Sequence, residues 1–471
     1  MKKPEKLYEG NMRKKYLLFA IPLILSSLLS QSYSFINSMM IGKLIGSEAF
    51  AATAVTSELT GFIDSIFWGY LTGVGIYVSV LFGKSEYEKM LNTIKVNFII
   101  TTSFAALFSI LCNVFCHQIL DILNVNDEVY KNAEAYFRTF ISGLCIFQFN
   151  WGFTYISHGM GITKMPLFAS VLTGIINVSL NYLFLAVLGK GIAYCALATI
   201  ISNATVTTFY LITYSKLFKN MEIKSKGIKF NFSELKRSLS YSTPTMLQQM
   251  AMSSCTAIVS PLTNSCSTAA LSGYSIANRA RTLIAAIYQN SSKANTNLIA
   301  QAMGAKKIDK IRQGIKIGIT QSLVFFTITL GLFIIFAKQF TGLFLDPIED
   351  AESFKVSVTI IRFLLPFIFF NVFNNLFHGI FRAVGSGKLM FISTVIYAIS
   401  FVVYAYILFA VLPQDLKIYG VYIALSGAYI TEVIFATIVY FTGKWKTPEY
   451  KELERQEKNA QPLDTPAPSN I

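Results

Sequence analysis

The sequence predicts an all-α polytopic membrane protein, with twelve transmembrane helices in two pseudo-symmetric six-helix bundles. Three observations carry this. Hydrophobic residues make up 53% of the chain against 14% charged, twelve apolar runs are each about as long as a bilayer crossing, and the loops between them are alternately rich and poor in Lys and Arg. A soluble domain of 471 residues would need far more polar surface. A hydrocarbon core about 30 Å thick takes roughly 20 helical residues, and each backbone polar group must be satisfied within its own segment, so the runs are helices.

Span one, near 16–40, follows a Lys-rich start that imitates a secretory signal, but the run is too long and eleven more follow it. Pro22 lies inside it, removes a backbone donor and should kink it. Span two, near 51–82, carries two acids, Glu58 and Asp64. Spans three to six fall near 96–115, 134–157, 167–188 and 192–214, and they complete an N-terminal lobe over residues 1–214. Residues 215–238 are rich in basic residues and read as a cytoplasmic linker. Span seven, near 239–262, combines Met246, Gln248, Gln249, Met250 and Met252. These residues suit either a promiscuous binding face or ordinary core packing.

Span eight, near 270–302, is the most polar. At about 100° per residue Arg279, Asn290, Lys293 and Asn297 share one arc, a stripe that cannot face lipid and that either lines a cavity or clasps neighbouring helices. Spans nine to twelve, near 317–337, 356–378, 389–411 and 419–441, complete a C-terminal lobe over 239–441, and a third buried acid, Glu432, lies in the last. Residues 442–471 are polar and mixed in charge and are expected to be a disordered cytoplasmic tail.

Twenty-nine of the 40 Lys and Arg fall in the seven segments on the side of the termini, which makes both termini cytoplasmic in a plasma-membrane protein. The net charge of +15 therefore encodes sidedness and gives no reason to expect a nucleic-acid partner. The six cysteines lack metal-type spacing, and neither a metal nor another cofactor is expected. Gly83-Lys84-Ser85 ends like a P-loop but has Val78 where the first glycine belongs. The three histidines fall near span ends, so no catalytic constellation is expected and the chain does not read as an enzyme.

Sliding the chain against itself by about 221 to 224 residues sets Gly83 on Gly304 and Phe137-Arg138 on Ile361-Arg362, and it sets Gly161-Ile162-Thr163-Lys164 on Gly385-Ser386-Gly387-Lys388. Each half has an even number of spans, so the halves share one orientation and are related by an axis along the membrane normal. Such a duplication suits an alternating-access transporter. The same register sets Glu58 on Arg279 and raises an ion pair between spans two and eight.

From Arg13 to Thr442 the chain resembles the multidrug and toxic compound extrusion (MATE) family. The resemblance is carried by Ala20-Ile21-Pro22 with Asn37 after it, Ile41-Gly42-Lys43-Leu44-Ile45-Gly46, Gly159-Met160-Gly161-Ile162-Thr163-Lys164-Met165-Pro166, Asn177-Val178-Ser179-Leu180-Asn181-Tyr182 and Gln301-Ala302-Met303-Gly304-Ala305-Lys306-Lys307. It implies a V-shaped, two-lobed exporter of amphipathic small molecules driven by protons or sodium ions. It also implies a substrate cavity between the lobes and a coupling cluster at Asn37, Asn177, Asn181 and Thr199. Positions 37 and 181 are commonly aspartate in the family, and an amide neither titrates nor attracts a cation by charge. Glu58 or Asp64 is the expected replacement as ion carrier. Arg279, Asn290, Lys293, Asn297, Met246 and Gln249 are the expected cavity residues.

The leading expectation is a monomeric cation-coupled antiporter. A flippase for a lipid-linked precursor and a membrane enzyme or interaction scaffold are the alternatives. A flippase should show a strongly basic cavity and additional spans, and an enzyme should show titratable groups gathered at one depth.

Overall fold

The computed structural model describes residues 4–122, 125–221 and 230–460, and these are helical almost throughout, with no strand among them. Span one is α1 (Met12–Leu44), span two α2 (Ser47–Gly83) and span three α3 (Tyr87–Val114), followed by short α4 (Cys116–Ile122). Span four is broken into α5 (Asp127–Ser142) and α6 (Leu144–Gly159); span five is α7 (Lys164–Tyr182) with a π-turn at its end, and span six is α8 (Ala193–Asn220). The second half repeats the series with α9 (Phe232–Asn264), α10 (Thr268–Gly304), α11 (Ile308–Ile335) and short α12 (Ala337–Gly342). Its tenth span is broken into α13 (Ala351–Thr359) and α14 (Ile368–Ala383), and α15 (Gly387–Val411) and α16 (Lys417–Phe441) close it.

The repeat seen in the sequence is a repeat of elements. Helices α1 and α9 both have 33 residues, α2 and α10 both have 37, α3 and α11 both have 28, and α6 and α14 both have 16. Even the rare backbone recurs, since Ser85 and Lys306, equivalent residues just past α2 and α10, both take positive φ. Helix starts are capped by short polar side chains, such as Asn11 accepting from the Lys14 amide and Ser267 accepting from the Ala270 amide.

Nine helices among the described residues are long and apolar enough to cross a membrane. Span four falls outside this set because it is broken at Gly143. Helices α9 and α10 fall outside it because they carry polar residues that line the cavity, such as Gln248 and Gln249 of α9 and Gln289 and Lys293 of α10. Lipid-side residues such as Ile110, Ile175, Ile328, Ile399 and Val403 are large, apolar and exposed.

With twelve crossings both termini lie at one end, here called the terminal end. There one core joins the halves, with Tyr77, Val78 and Phe82 of α2 packed in the same cluster as Ile299, Met303 and Phe381 of the second half. Residues 69–83 of α2 are all buried, and so are residues 290–304 of α10 except Lys293. Toward the far end the cores separate, one made of second-half residues around Ile284 and Tyr397, the other of first-half residues around Ile63 and Phe137. The halves thus share one core at the terminal end and keep separate cores at the other, where contacts such as Phe35 with Phe344 bridge them.

The tail departs from expectation. Residues 448–460 form α17 (Pro448–Ala460), with Trp445, Tyr450 and Leu453 buried in the shared core. Its acids meet the basic ends of the spans: Glu449 pairs with Lys84 (3.4 Å) and Arg237 (3.0 Å), and Glu457 pairs with Arg312 (2.7 Å). A composition argument counts charges without asking which face carries them, and here one face is apolar. Residues 461–471 of the tail and 222–229 of the expected linker lie outside the described residues.

Candidate substrate cavity and polar clusters

Between the halves lies a cavity of about 480 Å³, a size suited to a single small molecule. Asp64, Trp68 and Thr72 of α2 and Trp151 of α6 wall it from the first half. From the second half come Gln248, Gln249 and Met252 of α9, Gln289 and Lys293 of α10, His378 and Arg382 of α14, Tyr397 of α15, and Tyr429 and Glu432 of α16. A second space of about 250 Å³ lies between the first half and α10, lined by Ser30, Asn150, Thr154, Asn203, Asn290 and Lys293 among others. A third, of only about 20 Å³, is a cleft between Thr72, Tyr155, His158, Lys293, Thr296, Asn297 and Arg382. Lys293 belongs to all three, which explains why it alone in its stretch of α10 is not fully buried.

The charges in the main cavity are arranged by helix position. Lys293 lies over the Trp68 ring, 4.7 Å from its centroid, and Arg382 donates through Nε to the His378 carbonyl at 3.3 Å. Neither has an acidic partner within ion-pair distance among the described residues. Glu432, 3% exposed, lies 3.2 Å from His378 Nε2, and the other ring nitrogen of His378 meets the Gln248 amide at 2.9 Å. Asp64 has one buried carboxylate oxygen without a hydrogen-bond partner among the described residues.

The four positions expected to cluster in the first half do so. Asn37 of α1 donates to Asn177 of α7; Asn181 donates to Asn37 at 3.0 Å and to Asn177 at 3.2 Å, and Asn177 donates to Thr199 of α8 at 3.2 Å. The spacing of Asn177 and Asn181 puts both on one helical face, as required. The result is a neutral knot of amides joining spans one, five and six.

Other expected residues are dispersed. Gln249 lines the main cavity, whereas Met246 packs into the shared core, its backbone hard against Gly69 of α2. Asn290 lines the space between the first half and α10, and Asn297 lies at the cleft, accepting from Ser79 at 2.7 Å. Glu58 and Arg279 do not pair. Glu58 is exposed and accepts from Ser260 at 3.3 Å, while Arg279 lies over the rings of Phe35 (4.8 Å) and Phe344 (5.5 Å). Both sit where α2 and α10 have diverged, so the repeat register matches them without bringing them together.

Sequence reasoning missed His158, His378 and Arg382. It read His158 and Arg382 as loop residues and all histidines as peripheral; the structure puts all three on helices facing the cavities. Helices lining a cavity continue beyond their apolar stretch, because a wet face needs no apolar side chains. The repeat register held the signal, since the match of Gly161 with Gly385 also sets His158 on Arg382.

The chain matches the MatE family model twice, over residues 22–183 and 244–407, once in each half. Among curated proteins it is 25% identical over 446 residues to "Probable multidrug resistance protein YpnP" of Bacillus subtilis (strain 168), covering 93% of this chain and 97% of that one. It is also 25% identical over 394 residues to "Multidrug export protein MepA" of Staphylococcus haemolyticus (strain JCSC1435), covering 82% and 85%. Among solved structures it is similar to an "outward-facing conformation of a multidrug resistance MATE family transporter of the MOP superfamily", with TM-score 0.85, 20% identity, and 96% and 100% of the two chains covered. A MOP superfamily transporter from Pyrococcus furiosus, described by the reverse polarity of its binding pocket, gives TM-score 0.86, 20% identity and the same coverage. These structures share the arrangement of twelve helices in two bundles.

Proposed function

The chain belongs to the MatE family of transporters, and from that premise we propose that it exports amphipathic small molecules in exchange for a cation, proton or sodium, by alternating access. The observation that carries this reading is a central cavity lined by both halves, with one shared core packed at its terminal end. By the distribution of Lys and Arg the terminal end, where that core lies, is cytoplasmic and the protein resides in the cell membrane. The relatives' names, which refer to multidrug resistance and export, support a drug-like substrate, and the cavity volume agrees with one. Both walls of the cavity come from one chain, so a monomer suffices.

The amide knot at Asn37, Asn177 and Asn181 cannot carry a proton, so a proton-coupled cycle places its coupling group elsewhere. Asp64 is the better of the two acids on α2: it faces the cavity with an unpartnered oxygen, whereas Glu58 is exposed where the halves diverge. A carboxylate at membrane depth is costly unless it has work or a partner. In proteoliposomes with an imposed proton or sodium gradient, Asp64→Asn is expected to abolish gradient-driven transport while Glu58→Gln retains it. Unchanged transport in the double variant would remove both acids from the coupling step.

A further inference from the structure

We propose that the cleft at the cavity floor is an oxyanion subsite, and that the substrate is an amphiphile whose carboxylate, sulfonate or phosphate oxygens lodge between Lys293 and Arg382. This rests on the export reading for the purpose of the site, while the binding chemistry rests on the cleft itself.

The cleft has room for little more than one small group, about 20 Å³. Its charged and titratable lining consists of Lys293, Arg382, His158 and Tyr155, with the hydroxyls of Thr72 and Thr296, and it contains no carboxylate. His158 is 7% exposed and its Nε2 has no hydrogen-bond partner among the described residues. Lys293 and Arg382 likewise lack an acid there, with only the Trp68 face and a backbone carbonyl as partners. Two cations withdrawn from bulk water without a counter-charge are costly, and an oxyanion offsets that cost through charge-assisted hydrogen bonds.

The repeat strengthens the argument. Setting Gly83 on Gly304 pairs Thr72 with Lys293, and setting Gly161 on Gly385 pairs His158 with Arg382. All four line the cleft, so the cleft lies where the halves meet about their pseudo-symmetry axis, and the halves differ in charge at that point. Asp64 and Glu432 line the main cavity, which Lys293 and Arg382 also reach, but neither acid forms an ion pair with either cation among the described residues. Trp68, Trp151 and Tyr397 line that chamber and suit an aromatic or aliphatic body, and its volume of about 480 Å³ favours a free, single-bodied amphiphile over a two-chain lipid.

The test uses full-length protein in detergent without any gradient, so that binding is read apart from transport. Calorimetric titration would compare 6-(2-naphthyl)hexanoate, its primary amide, and the matching trimethylammonium compound. The carboxylate is expected to bind about 10-fold more tightly than the ammonium, and Lys293→Gln and Arg382→Gln should each weaken it about 10-fold while leaving the amide within about 2-fold. Lys293→Arg should keep the preference, which separates lost charge from misfolding. Tighter ammonium binding by the parent, an equal loss for all three probes, or an unchanged preference in both Gln variants would overturn the subsite. Dihexanoylphosphatidylglycerol competing as well as the carboxylate would overturn the free-amphiphile assignment in favour of a lipid headgroup. Carboxylate preference without gradient-driven transport in proteoliposomes would leave the subsite standing and remove the export reading.

Discussion

Gln301 shows how one side chain can seal an end of a membrane protein. Fully buried near the end of α10, it accepts from the Leu7 amide at 2.8 Å and donates to the Gly159 carbonyl at 2.9 Å, so it ties the N-terminal segment, span four and span eight at one point. Gln301→Leu removes both bonds and leaves a buried donor and a buried acceptor unpaired, each costing about 1–3 kcal/mol. The expected outcome is a clear fall in the thermal unfolding midpoint of the purified protein, larger than for a surface substitution such as Gln313→Leu. An equal midpoint for the two variants would mean that water replaces Gln301. Tyr16 makes a parallel link, its hydroxyl donating to the Ser291 carbonyl at 2.9 Å.

At the scale of elements, the closure depends on two equivalent glycines. A Cβ on Gly83 would collide with the backbone of Gln301, and a Cβ on Gly304 would collide with that of Val80; the same register pairs Val80 with Gln301, so the α2–α10 crossing is symmetric. Backbone cannot rotate out of the way as a side chain can, and overpacking of this kind costs typically 1–3 kcal/mol or more. Gly304→Val should therefore force the terminal ends of α2 and α10 apart. The check is maleimide labelling of a Thr296→Cys reporter in vesicles: slow from the terminal side in the parent, it should become several-fold faster with Gly304→Val. Unchanged labelling in a monodisperse, folded variant would show that the crossing relaxes elsewhere.

The whole molecule is two bundles that share a core at one end, and its orientation is a separate question from its shape. If the terminal end is cytoplasmic, as loop charge predicts, the segment between α12 and α13 should be external and the segment between α10 and α11 internal. In intact cells Asp346→Cys is expected to react with a membrane-impermeant maleimide, and Lys306→Cys should react only after permeabilisation. The reverse pattern would invert the protein in the membrane.

The sequence by itself determined the helical class, the twelve crossings and the duplication, because each depends on local quantities: run length, charge at run ends, and residue order. It also located the amide knot, since Asn177 and Asn181 fall four residues apart on one face and the family resemblance supplied Asn37 and Thr199. Tertiary structure alone decided which charges meet. Glu58 and Arg279 match in register yet lie where α2 and α10 diverge, whereas His158, Lys293 and Arg382 come from three helices to one cleft. The tail helix belongs to the same class, because Trp445, Tyr450 and Leu453 are buried only once the ends of several spans provide a surface. Periodicity fixes the face a residue occupies on its own helix, but the angle at which two helices cross fixes what that face meets, and the crossing here is set by close backbone contact at Gly83 and Gly304.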